Sequence, residues 1–185
     1  MEFTLYYRGT LRANKKRAKD NKHKLRKHFH KQLSVLWTQK PLKAFSKNLL
    51  NESYPGNLLR KVGNFSFAPL VTERIALIAE LDISLLRPES PGAIITQSGD
   101  IDNRLKTLLD ALRMPKSPGE IPKDTAVGIN ENPFFCLLED DNLITRISVT
   151  TDRLLESNIN PSEVVLTIHV TTKQLEVYID TAGLG

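Results

Sequence analysis

From Arg74 to Leu86 the chain alternates. Ile75, Leu77, Ala79, Leu81, Ile83 and Leu85 fall on one side, and Arg74, Glu80, Asp82 and Ser84 on the other. Successive strand side chains point to opposite faces, so a period of two predicts a long strand with one face buried. Ile78 interrupts the pattern and predicts partial cover of the second face.

The other segments fit around such a strand. Phe3, Leu5 and Tyr7 alternate with Thr4 and Tyr6, which predicts a strand over Glu2 to Arg8. Leu11 to Arg17 follows as a basic loop. A helix is expected from about Asp20 to Gln39, with Leu25, Phe29, Leu33 and Leu36/Trp37 as its apolar stripe and Lys22, Lys24, Arg26, Lys27, His28 and Lys31 on its other faces. Pro41 stops it. Leu42 to Pro69 is rich in turn signals and reads as irregular, with a short strand near Asn64 to Phe67. Arg87 to Gly92 is a loop. Phe134 to Leu138 and Leu143 to Thr150 read as strands joined by the turn Asp140-Asp141-Asn142, and Val164 to Val170 with Gln174 to Ile179 as a hairpin. This order predicts an α+β fold, a mixed β-sheet with helices packed against it, as a single domain over 1–185.

Charge is unevenly spread. Arg8 to Lys31 holds eleven Lys and Arg against one acid, Asp20, for a local charge of +10; the whole chain is +5, so the remainder carries −5. That asymmetry predicts a polyanionic partner on one surface. With few acids available for pairing along the helix, Lys15, Lys16, Arg17, Lys24, Lys27 and Lys31 are the expected nucleic-acid contacts. His23, His28 and His30 stand among lysines in a spacing unlike a zinc site, and phosphate contact or solvation is expected of them. The single cysteine, Cys136, lies in an apolar run and is expected to be a buried, inert thiol in a reducing, cytoplasmic setting. The N-terminus lacks the apolar core of a secretory signal, and no apolar run nears the roughly 18 residues of a membrane span, so no membrane partner is expected.

The acidic chemistry concentrates in GDIDNRLKTLLDALRMP, Gly99 to Pro115. Leu105, Leu108, Leu109 and Leu112 recur at helical spacing, Asp102 reads as the N-cap, and Lys106 lies one turn on, facing the same way as Asp102 and Asp110. A second cluster, Glu139-Asp140-Asp141, follows the apolar run Phe134 to Leu138. Carboxylates from two separate elements are the hard oxygen ligands that suit Mg²⁺ or Mn²⁺.

Asp100, Asp102, Asn103 and Lys106 followed by Asp140 and Asp141 resemble the pattern of the RusA family of Holliday junction resolvases: Asp-x-Asp-Asn-x-x-Lys opening a short apolar helix, then a paired-acid turn at the end of a strand. The resemblance spans about Glu73 to Val149, and departs from the family in the long connector Arg113 to Phe134. It implies a RusA-like nuclease domain in which Asp100, Asp102 and Asp141 bind catalytic Mg²⁺ (Mn²⁺ as substitute) and Lys106 assists phosphodiester cleavage. Asn103 and Asp140 stand as outer-shell residues. It also implies a homodimer that nicks two strands of a four-way junction symmetrically, in DNA recombination and repair. Phe3 to Tyr7, Phe65, Phe67 and Ile78 are the apolar material for an interface. The other readings of the same residues are a nucleic-acid-binding protein without catalysis, and a nuclease for flaps, forks or RNA.

Overall fold

The computed structural model describes residues 1–11, 18–88, 101–160, 162–178 and 181. The fold is α+β. Ten elements run in the order β1 (Glu2–Thr10), α1 (Ala18–Leu36), α2 (Leu42–Leu49), β2 (Arg60–Val62), β3 (Phe65–Val71), β4 (Leu77–Arg87), α3 (Ile101–Leu112), β5 (Phe134–Leu138), β6 (Ile144–Arg153) and β7 (Glu163–Gln174). They build two sheets rather than the single one expected: a four-stranded sheet in the order β1-β7-β4-β6 and a three-stranded one in the order β2-β3-β5.

β4 holds the predicted phase, with Leu77, Ala79, Leu81, Ile83 and Leu85 all buried. It begins three residues later than expected, because Glu73–Ile75 forms a 3-10 turn closed by Ala76 in the left-handed region, with φ 51°. β4 lies antiparallel to β7 and parallel to β6. β1 in turn pairs antiparallel with β7 over the whole length of β1, Glu2 opposite Thr171 through Thr10 opposite Glu163. Among the described residues the predicted C-terminal hairpin is not formed; Ile179, the end of its second strand, lies outside them. β7 continues unbroken to Gln174, and Leu175 and Val177, expected to be buried in a returning strand, are 68% and 71% exposed. With β1 on one edge of β7 and β4 on the other, a further strand has no edge of β7 left to pair with.

Helix α1 packs its apolar side into the core that the four-stranded sheet lines. Leu25, Phe29 and Leu33 are buried along it and Trp37 just beyond it, in one cluster with Leu81, Ile83, Leu166 and Ile168. The segment after Pro41, read from sequence as irregular, contains α2. Leu42 and Leu49 are buried and Phe45 packs against the core from between them, while Lys43 and Lys47 face water. This amphipathic spacing was masked in the sequence by the turn residues that follow it. β3 is longer than expected, and all seven of its residues are buried. Phe65 and Phe67 therefore belong to the chain's own second cluster with Val62, Met114, Phe134 and Cys136, and are not available as interface material. Cys136 is buried as expected, and burial pushes its thiol up to about 12.

Three supposedly polar positions on α1 are interior. Arg26 is 1% exposed, and its Nη2 donates to the Asp110 carbonyl at 2.8 Å and its Nε to the Arg113 carbonyl at 3.3 Å. His23 is packed among Phe65 and Phe134. His30 has both ring nitrogens in use: Nδ1 accepts the Phe135 amide proton and Nε2 donates to the Asn130 carbonyl, each at 2.9 Å. These residues are ties between α1, β5 and the connector, so phosphate contact is not their role. Leu25, Phe29 and Leu33 carry the apolar stripe, but the buried arc of the helix is wider than that stripe.

Burial, with Lys27 and Arg26 nearby, lowers the pKa of His23 from the usual 6.5 to about 4. Between those values the unfolded chain binds the proton and the folded one does not. The stability tied to neutral His23 is complete above pH 6.5 and is lost as pH falls toward 4. Urea midpoints measured from pH 7.5 to 4.5 are expected to fall across this window, and His23→Phe should flatten that part of the profile.

Candidate functional site

α3 opens with the acidic motif. Asp102 lies inside its first turn rather than at the N-cap, because the helix already includes Ile101. An acid here is favoured by the positive end of the helix dipole. Asp102, Asn103 and Lys106 are exposed, whereas Arg104, Thr107, Leu108, Asp110, Ala111 and Leu112 are buried. Leu105 and Leu109 are half-buried against the core. The back of α3 thus anchors it, and Asp102 and Lys106 stand one turn apart on its solvent side. Asp110, predicted to share their face, is buried instead. Its Oδ2 accepts from Lys22 Nζ at 2.5 Å and its Oδ1 from Arg113 Nη2 at 3.0 Å.

The second acidic cluster is a capped turn. Asp140 Oδ1 accepts the Asn142 amide proton at 3.1 Å, and the short 3-10 segment Asp141–Leu143 leads into β6. The turn passes from one sheet to the other rather than joining two strands of one sheet. Lys116 Nζ lies 2.6 Å from Asp140 Oδ2 and 3.8 Å from Asp141 Oδ1. Lys116 holds the Asp140 carboxyl down at about 2, aided by the Asn142 amide. It is brought there by backbone pairing: Arg113 bridges to Leu138, and the Met114 amide donates to the Leu138 carbonyl at 2.9 Å.

Glu139 points its charge elsewhere. Its Oε1 accepts from Arg60 Nε at 3.0 Å, and the Thr72 hydroxyl donates to its Oε2. Beside the turn is a cleft of about 520 Å³, walled by Arg60, Arg74, Glu73, Glu139, Asp140 and Asn142. Arg74 is exposed and donates to the Pro55 carbonyl.

Several of the expected site residues are thereby placed. Asp102, Asn103 and Lys106 share one exposed surface, and Asp140 and Asp141 share another feature with Lys116. Among the described residues, no hydrogen bond or ion pair links the two groups, and no set of three or more His, Cys, Asp or Glu side chains is gathered as a metal cage. Asp100 lies outside the described residues, as do Lys15, Lys16 and Arg17. Mg²⁺ is commonly held by one or two carboxylates with waters and substrate oxygens, and both acidic groups supply carboxylates of that kind. The exposed carboxylates of Asp102 and Asp141 are hard oxygen donors, while Asp140 is already paired with Lys116.

The basic helix is more self-occupied than its sequence suggests. Lys24 and Lys31 are exposed as expected, but Lys27 is ion-paired to Glu131 at 2.9 Å and Lys22 to Asp110. Arg60, Arg74 and Lys116 were missed from sequence. Lys116 carried a weak signal, standing just past the end of α3; Arg74 was read only as a polar-face residue of the alternating stretch, and Arg60 lay in the segment read as irregular.

No protein-family model matches the chain, nor does any curated protein or any solved structure. Among the described residues, no helix is long and apolar enough to cross a membrane.

Proposed function

We propose that the chain is a RusA-like, Mg²⁺-dependent endonuclease that resolves four-way DNA junctions by paired, symmetric nicks. The observation that carries this reading is the exposed pair Asp102 and Lys106, one turn apart on a helix whose opposite side is buried. The helix dipole accounts for an acid in the first turn; what supports the nuclease reading is that this acid stands beside an amide and one turn from a lysine on the same exposed side.

In this reading Asp100, Asp102 and Asp141 hold the cation, which supplies an activated water and charge stabilisation at the phosphorus. Lys106 meets the negative charge that develops on the phosphate oxygens. Asn103 and Asp140 orient the neighbouring carboxylates by hydrogen bonding. Lys24 and Lys31 bind backbone phosphates. The competing reading, a DNA-binding protein without catalysis, draws on the cap that Asp140 makes to Asn142 and on its pairing with Lys116, which together also describe an ordinary turn.

Two symmetric nicks call for two active sites related by a two-fold axis. Light scattering of the protein with junction DNA, after subtraction of the DNA mass, is expected to give about twice the 20.9 kDa chain. A single chain mass, unchanged by junction DNA, contradicts the paired-nick mechanism.

A further inference from the structure

We infer that the cleft beside the acidic turn grips a backbone phosphate of the bound nucleic-acid strand, and that Arg74 is its principal cation. The inference rests on the proposed function and adds a substrate contact to it.

The charges around the cleft are unequal in their commitments. Glu139 is satisfied by Arg60 and by the Thr72 hydroxyl. Asp140 is satisfied by Lys116 and the Asn142 amide. Glu139 and Asp140 oppose an incoming anion less than their number suggests, because each already has a cation beside it. Glu73, the third acid of the wall, is exposed and screened by water rather than paired among the described residues. Arg60 is fixed at two points, through Glu139 and through the Leu59 carbonyl, which accepts from its Nη1 at 3.1 Å. Arg74 differs. Its described partner is the Pro55 carbonyl, a neutral acceptor, and among the described residues it makes no ion pair. Its head is thus steadied without being neutralised.

A guanidinium held this way loses little freedom on binding and matches the paired oxygens of a phosphate. The cleft's volume accommodates a phosphate with part of its sugar, and its wall includes Asp140 of the acidic turn. A strand entering the cleft therefore passes beside Asp140, the neighbour in sequence of the proposed ligand Asp141. Arg74 is a binding residue here: it holds a phosphate of the strand and takes no part in the chemistry.

The test is fluorescence anisotropy of a labelled four-way junction in EDTA, so that binding is read without cleavage, across a NaCl series. Arg74→Gln is expected to weaken binding about 5- to 10-fold at low salt and to reduce the slope of log K against log [salt] by about one. Arg74→Lys should restore the slope and only part of the affinity, since a lysine keeps the charge but not the fork. Lys43→Gln, on the exposed side of α2, should behave as wild type. Thermal melts check that Arg74→Gln is folded, which its exposure favours. If wild type binds the junction and Arg74→Gln shows the same slope and affinity, the clamp is wrong while the nuclease reading stands. If wild type binds no DNA, the functional reading falls, and the clamp with it. If millimolar inorganic phosphate binds in an Arg74-dependent way but no DNA does, the cleft takes a free phosphate and the assignment to a strand is overturned.

Discussion

Asp102→Asn is expected to cut junction cleavage by about 100-fold or more while leaving junction binding within about twofold. The substitution keeps the shape of the side chain and removes its charge. Removing a single preorganised electrostatic contact from an active site commonly costs about 10²- to 10³-fold in rate. Stability offers no competing explanation. Asp102 is exposed, and its favourable position in the first turn of α3 is worth only about 0.3–1 kcal/mol. Single-turnover cleavage and anisotropy, run on the same preparation, separate the two effects. Equal losses of binding and cleavage would argue against a catalytic surface distinct from the binding surface.

Asp110→Ala is expected to destabilise the fold strongly, by about 3–5 kcal/mol. Asp110 connects three parts of the chain. Its carboxylate pairs with Lys22 of α1 and with Arg113 at the start of the connector, and its carbonyl takes Arg26 Nη2. Arg113 also reaches Glu120 at 3.1 Å, so the connector is tied into the same network. Deleting the carboxylate leaves Arg113, 7% exposed, with one carboxylate partner fewer in a poorly hydrated place. Against a typical domain stability of about 5–15 kcal/mol, that loss is large. Burial pushes the Asp110 carboxyl up, but the Lys22 hydrogen bond and charge, with Arg113, outweigh it and hold the group below its usual 3.8. Its contribution is therefore present above pH 3.8 and disappears as pH falls through the lower folded value. Urea unfolding at pH 7 measures the effect directly; a loss under about 1 kcal/mol would show that the network is dispensable.

The α+β class, β1, α1, β4, α3 and β5 were legible because each carries a strong local period. The burial of Leu77 through Leu85 follows from alternation alone. What escaped was decided by tertiary partners. His23, Arg26 and His30 look solvated from a lysine-rich sequence, yet they face β5 and the connector, which approach α1 from far along the chain. The C-terminal hairpin failed for the reverse reason. Leu175 and Val177 have the composition of a strand, but β7, the strand they would fold back on, has no free edge.

The candidate site was legible in part. The exposed placement of Asp102 and Lys106 follows from the helical period of the leucines behind them. The tie from Lys116 to Asp140 and Asp141 does not, because it depends on a backbone bridge between Arg113 and Leu138, twenty-five positions apart in sequence. Arg60 and Arg74 reach the acidic turn through the pairing of β3 with β5, which no local pattern announces.

The central claim is phosphodiester cleavage, and an end-labelled four-way junction incubated with the full chain tests it most directly. With Mg²⁺ or Mn²⁺ the account predicts two nicks at symmetric positions in opposing strands, abolished by EDTA. An intact junction under both metals, at protein concentrations that saturate binding, would contradict it.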